Sequence, residues 1–215
     1  LAFALTQLGE IHAYAGRLPE ARDSFAKALS ATPDHHPAQR NLGKLAFIEG
    51  DHAAAVAALT RAAELRPEDG ETRFLLGVAL RYTGADQDAA RQLEEALRID
   101  GGRIDALAQL GLALKGLGRA DKAADAFRRV LAHEPGNVTA LAALDSLNAE
   151  ERGRRAVAKG AAKRVGLLVH AKFHYPMLKR IFAALADDQW PAISGDLRDL
   201  ALFGANGYGA VLGML

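Results

Sequence analysis

Apolar residues along this chain fall at helical spacing, and the pattern they make repeats. Between residues 17 and 31, Leu18, Ala21, Phe25, Ala28 and Leu29 recur every three or four positions, which places them on one face of an amphipathic helix. The pattern is then copied. A Leu-Gly pair stands at Leu8-Gly9, Leu42-Gly43, Leu76-Gly77 and Leu110-Gly111, each 34 residues from the last. A second glycine follows each pair at Gly16, Gly50, Gly84 and Gly118, then an alanine at Ala21, Ala55, Ala89 and Ala123. Next come a bulky residue (Phe25, Leu59, Leu93, Phe127), a small one (Ala28, Ala62, Ala96, Val130) and a breaker (Pro33, Pro67, Gly101, Pro135).

Each slot answers a steric demand. The glycine of the Leu-Gly pair and the later alanines suit a close approach of two helices, and the bulky residue fills the space they leave. The second glycine suits the end of a first helix, where positive φ is needed. The prolines stop the second helix and turn the chain into the next unit. The expected fold is mainly α, with helix-turn-helix units over residues 2–35, 36–69, 70–103 and 104–137.

These slots resemble the tetratricopeptide repeat family, over residues 2–137. The resemblance implies a right-handed superhelical solenoid whose concave inner face, built from the first helix of each pair, holds a protein or peptide ligand. Departures are mild: the aromatic that the family often carries after the Leu-Gly pair is His12, Ala46, Leu80 and Leu114 here, and Gly101 replaces one proline. Stacked repeats need a covered end. Residues 138–150 continue the phase with Leu144 on the leucine slot and Asp145 on the glycine slot, so they read as a closing helix or a degenerate repeat.

Mapped by phase, the inner face would carry Phe3, Thr6, Glu10 and Ala13, then Arg40, Lys44 and Phe47, then Phe74, Val78 and Arg81, and finally Ala108, Leu112 and Lys115. The partner-binding candidates are Arg40, Lys44, Phe47, Phe74, Arg81 and Lys115, an apolar groove with interspersed positive charge. Such a surface suits a peptide with acidic and apolar residues; the competing reading is of ordinary solvated helix positions. The family's clamp for a C-terminal carboxylate needs a basic residue and an asparagine where Thr6 and Glu10 stand, and Asn41 beside Arg40 is a partial echo of it.

After residue 150 the character changes. The chain carries 17 basic and 21 acidic residues up to that point and 10 against 5 beyond it, within an overall charge of +1. Residues 151–164 are basic and rich in alanine and glycine, but no aromatics interleave for base stacking, so they read as a solvated helical linker and not as a nucleic-acid patch. Val165–His170 reads as a strand, Met177–Ala186 as a helix, Ala192–Ser194 as a strand, Leu197–Phe203 as a helix and Tyr208–Leu215 as a third strand: the truncated start of a Rossmann-like α/β domain over residues 165–215. This segment is similar to the N-terminal lobe of GT-B glycosyltransferases and the CDP-glycerol glycerophosphotransferase family. The resemblance implies an acceptor-facing loop with His170 and His174, and makes the alternative function an acceptor-recognition part of a transferase whose catalytic lobes lie elsewhere.

Other chemistry is thin. The chain has no cysteine, which excludes disulfides and thiolate metal sites. No apolar run approaches the ~20 residues of a membrane span. His170 and His174 lack an acidic third ligand, the His35-His36 doublet reads as a solvated inter-repeat turn, and Gly204–Gly213 lacks a P-loop lysine. The expectation is therefore a cytoplasmic interaction scaffold, with no catalytic residues, metal or cofactor, and an oligomeric state left open.

Overall fold

The computed structural model describes residues 1–170. Among these, every regular element is an α-helix: α1 (Ala2–Tyr14), α2 (Leu18–Ala31), α3 (His36–Ile48), α4 (His52–Leu65), α5 (Gly70–Tyr82), α6 (Asp86–Ile99), α7 (Ile104–Gly116), α8 (Ala120–His133) and α9 (Val138–His170). Consecutive helices pair as hairpins, α1 with α2 through α7 with α8, and each hairpin stacks on the next through α2–α3, α4–α5 and α6–α7. The first helices also lie side by side, α1 against α3, α3 against α5 and α5 against α7. The array is an all-helical solenoid.

The repeated slots supply the reasons. Within each hairpin the bulky residue of the second helix fills the notch left by the glycine of the first. A Cβ added at Gly77 would lie 2.6 Å from Leu93 Cγ, and one at Gly111 would lie 2.7 Å from Phe127 Cε1. Phe25, Leu59, Leu93 and Phe127 are consequently buried to within 1% of completeness. Flanking alanines at Ala21, Ala55, Ala89 and Ala123 are wholly enclosed, so the core is a row of short alanine-lined contacts around single large side chains. The turns inside the hairpins end on glycine in the left-handed region, as at Gly84 with φ 78°, a conformation that costs any other residue about 1 kcal/mol or more.

Local caps complete the helices. The Asp51 carboxylate accepts the Ala54 N–H at 2.9 Å, capping α4. Pro19 and Pro37 occupy the first turns of α2 and α3, where a missing N–H costs nothing. Asn137 Oδ1 accepts the Ala140 N–H at 3.0 Å at the start of α9.

The chain divides into two compact units, Leu1–Asp145 and Ser146–Leu215. The first contains the four hairpins and the opening turns of α9, where Ala140 and Ala143 are buried. In the second, residues 148–159 are exposed along α9, and Arg155 pairs with Glu151 one turn before it at 2.8 Å. Here the structure corrects one expectation. Residues 138–150 are the opening of α9, which continues to His170. Residues 165–170 are therefore helical and not a strand. A short aliphatic run is ambiguous between strand and buried helix, and propagating an existing helix adds one hydrogen bond per residue without a new nucleus. The later elements of the α/β reading, from residue 171 onward, lie outside the described residues.

Candidate functional site

The first helices α1, α3, α5 and α7 form one continuous face, tied across each seam by side chains. Asn41 Nδ2 donates to Glu10 Oε1 at 2.7 Å between α3 and α1. Arg40 Nη1 donates to Asp69 Oδ2 at 3.2 Å between α3 and the residue preceding α5. Arg81 Nε donates to Gln109 Oε1 at 2.9 Å between α5 and α7. These pairs hold neighbouring repeats in register while spending much of the face's hydrogen-bonding capacity.

At the α3–α5 seam the ties become a buried knot. The His36 side chain is only 4% exposed, with Nε2 at 3.1 Å from both Thr72 Oγ1 and Asp69 Oδ2. The Thr72 hydroxyl donates to Asp69 Oδ2 at 2.5 Å, so its oxygen is left to accept from His36. That places a proton on Nε2. Burial, seconded by the positive charges of Arg40 and Arg66 and opposed by Asp69, pushes the His36 pKa below its ordinary 6.5. Burial alone would raise Asp69, but the Thr72 hydrogen bond, the charge of Arg40 and, when protonated, that of His36 outweigh it and hold the carboxyl below its ordinary 3.8. His36 is thus no solvated turn residue: it opens α3, and α5 closes over it. Beside the knot, Arg40, Leu65, Arg66, Pro67, Glu68 and Asp69 line an open cleft of about 530 Å³.

The candidate binding residues fall into two groups. Arg40 is half-buried and engaged with Asp69. Phe74 is roofed by the Arg103 guanidinium, 4.2 Å above its ring, and Arg103 is itself paired with Glu71 at 2.8 Å and Asp105 at 3.1 Å. Arg81 bonds Gln109 and lies 4.5 Å over the Tyr82 ring. Lys115 is half-buried on α7. By contrast, Lys44 is exposed, and one turn further along α3 stand Phe47 and Ile48. Phe47 packs edge-on against Tyr82 at 5.1 Å and against His52 at 5.1 Å, an aromatic triad open to solvent through Tyr82.

Of the remaining mapped positions, Thr6 is buried and donates to the Ala2 carbonyl at 2.9 Å, so it offers nothing to a ligand. Phe3 is exposed, while Ala13, Val78, Ala108 and Leu112 are half-buried. His170 is the last residue of α9 and not part of a loop; His174 lies outside the described residues. Sequence reasoning missed Tyr14, Ile48 and Tyr82, which occupy the same slot of three successive repeats and are all exposed. Their 34-residue spacing was the available signal. Among the described residues no group of three acidic or histidine side chains converges as a metal site, and no helix is long and apolar enough to cross a membrane.

Stacked hairpins bearing one continuous, chemically varied face define a class, the helical-repeat interaction scaffolds. Family models described as tetratricopeptide repeat match residues 6–69, 49–104 and 105–137, and the chain belongs to that family. Tetratricopeptide repeat protein 36 of Mus musculus is 34% identical over 100 residues, 45% of this chain and 54% of that protein. A tetratricopeptide repeat-containing protein of Pseudomonas aeruginosa is 40% identical over 95 residues, 44% of this chain and 38% of that protein. The chain spans about half the length of the first and less of the second. Among solved structures, MamA is similar at 25% identity and a TM-score of 0.64, over 68% of this chain and 85% of that one. YrrB, described as a tetratricopeptide protein with an unusual peptide-binding site, is similar in fold at 21% identity and a TM-score of 0.67, over 72% of this chain and 79% of that one.

Proposed function

We propose that this scaffold holds a peptide-like segment of a partner protein across α3 and α5, with acidic side chains set against Lys44 and an apolar side chain buried on Phe47, Ile48 and Tyr82. The observation that carries this reading is that exposed Lys44 stands on the same two helices as exposed Ile48 and Tyr82, with half-buried Phe47 packed between them. Such anchors, partly apolar with a polar tip, supply contact area at low entropic cost. Arg40 and Arg81, already engaged, border the site as fixed donors, and Lys115 extends the cationic row onto α7. The carboxylate clamp of the family has no counterpart in repeat one, because Thr6 is turned inward and Glu10 is bonded to Asn41. That favours a segment read through its side chains over one held by a terminal carboxylate in repeat one. YrrB shows that a fold of this kind carries a peptide-binding site.

The test uses two labelled ten-residue peptides that share leucine and phenylalanine positions, one with glutamates between them and one with lysines, in fluorescence anisotropy titrations. The acidic peptide should bind preferentially, with an association rate that falls as salt rises. Tyr82→Ala should weaken it about tenfold, about 1.4 kcal/mol, and Lys44→Glu should slow its association. Equal binding of the two peptides, or indifference to both substitutions, sinks the reading.

A further inference from the structure

The open cleft beside the His36 knot is lined by two arginines, two carboxylates, Leu65 and Pro67. Its formal charges cancel, but its hydrogen-bonding groups do not. Glu68 is spent on Arg98, accepting from Nη2 at 3.0 and 3.2 Å. Asp69 is spent on Arg40, His36 and Thr72. The arginines keep donors in hand. Arg40 gives Nη1 to Asp69, while its Nε is buried without an acceptor among the described residues. Arg66 stands exposed just after α4, and among the described residues no acidic group pairs with it. Each guanidinium carries five N–H donors, so what the cleft still lacks is acceptors. An anionic group supplied from outside meets that lack with charge-assisted hydrogen bonds.

The cleft also stands in line with the proposed peptide site. Arg40 opens a row on α3 that continues through Lys44 to Ile48, four residues at each step, with Phe47 beside the last. Residues four apart share a helix face. Lys44 is exposed and, like Arg66, has no acidic partner among the described residues. Four residues of α-helix advance about 6 Å. Two residues of an extended chain advance about 6.6 Å and bring the side chain back to the same side. The two rises match closely enough that a segment extended along α3 meets the row with every second side chain. Adjacent residues cannot do so, because they point to opposite sides.

We infer that the Arg40–Arg66 cleft takes an anionic side-chain group, a carboxylate or a phosphate, from the segment held on α3 and α5. Two residues away that segment sets an acidic side chain on Lys44, and four residues away an apolar one on Phe47, Ile48 and Tyr82. The inference rests on the peptide reading above and deepens it. The segment bridges both helices but runs parallel to their axes, and its three contacts follow an alternate spacing. Arg66 becomes a specificity-determining residue although it lies on neither helix. The row reads the same in either chain direction.

The test uses the full chain and labelled ten-residue peptides in anisotropy titrations. Two peptides carry glutamate, glutamate and phenylalanine at alternate positions among serines, in forward and reverse order. A third holds the same three residues side by side. The tighter alternate peptide should bind about tenfold better than the contiguous one. Arg66→Ala should leave the thermal midpoint unchanged and weaken that peptide about fivefold. It should not affect the same peptide with glutamine at the cleft position, which marks a contact with one side chain and not a loss of fold or of general attraction. A peptide with phosphoserine there identifies the source: the anion whose binding depends more on Arg66 is the cleft's ligand. Equal binding of alternate and contiguous peptides overturns the inference. So does an Arg66→Ala effect that is the same for glutamate, glutamine and phosphoserine. The peptide reading survives that result if binding still falls with Tyr82→Ala, and fails with it if Tyr82→Ala and Lys44→Glu both leave binding unchanged.

Discussion

The interiors of the hairpins and the face of their first helices follow opposite rules. Inside, the same contact is made four times: a bulky side chain against a glycine, with an alanine before it and a small residue after it. On the face, equivalent slots hold unlike residues. Arg40, Phe74 and Ala108 share one slot, Lys44, Val78 and Leu112 another, and Phe47, Arg81 and Lys115 a third. Repetition marks what every hairpin needs in order to form. Variation marks where each hairpin is free to meet something else: polar ties between neighbouring repeats use part of that freedom, and the Lys44–Phe47–Tyr82 patch leaves the rest open.

The contrast is broken most directly by truncating one large side chain of each kind. Phe127→Ala removes a fully buried ring and should destabilise the array by about 3–5 kcal/mol in urea unfolding. Tyr82→Ala removes a ring that is 54% exposed and should cost well under half of that. Comparable losses would mean that the aromatic triad is structural, and the patch would lose its claim as a binding site. Next in size is Gly77→Val. Its Cβ would fall 2.6 Å from Leu93 Cγ and 3.2 Å from the Ala89 carbonyl oxygen, so the hairpin must open. Overpacking of this kind costs about 1–3 kcal/mol. Gly77→Val combined with Leu93→Ala should recover part of the loss, because the second change vacates the space the first one needs.

This division also explains which features were legible in the sequence. The hairpins were, because each slot answers a demand satisfied within 34 residues of itself. Seams were not, because their logic runs between repeats: His35-His36 reads as a polar turn until α5 is laid over it and Thr72 and Asp69 supply partners. Likewise, Arg40 and Arg81 read as free steering charges by phase alone, while Asp69 and Gln109 reach them only once the hairpins stack. The strand expected at 165–170 fails for another reason: composition suits both states, and the helix already running from Val138 decides. Phase singled out Lys44, which is exposed, and Phe47, which is half-buried, but the exposure of Tyr82 and Ile48 emerges only from the packing.

A smaller effect separates the buried seam from the rest by pH. His36 has a folded pKa below its ordinary 6.5, so its contribution to stability is full above that value. As pH falls below 6.5 the unfolded chain takes up a proton that the folded His36 resists, and stability declines toward the folded pKa. Asp69 adds a second loss at lower pH: held below 3.8 when folded, its contribution fades as pH drops through that depressed value. Unfolding free energies measured from pH 7.5 to 5 should fall in the native chain, and His36→Gln should flatten the decline. Below pH 4 the substitution should weaken the trend without abolishing it, because Thr72 and Arg40 still hold Asp69. An unchanged profile in His36→Gln would show that the knot is not the group being titrated.

The smallest effect belongs to the exposed ties. Arg22 of α2 pairs with Glu49 just after α3, bridging two hairpins as the His36 knot does, but its side chain is 57% exposed. In high dielectric the Coulomb gain of such a pair is offset by the entropy of holding two long side chains. A double-mutant cycle over Arg22→Ala and Glu49→Ala should give a coupling below about 1 kcal/mol that shrinks in 0.5 M salt. The matching cycle over Arg40→Ala and Asp69→Ala, at the half-buried seam, should give more and resist salt better, because its charges are less well screened. If the two cycles agreed, seam ties would be interchangeable wherever they lie. The register of the hairpins would then rest on apolar packing alone, and the polar residues of the face would all be available to a partner.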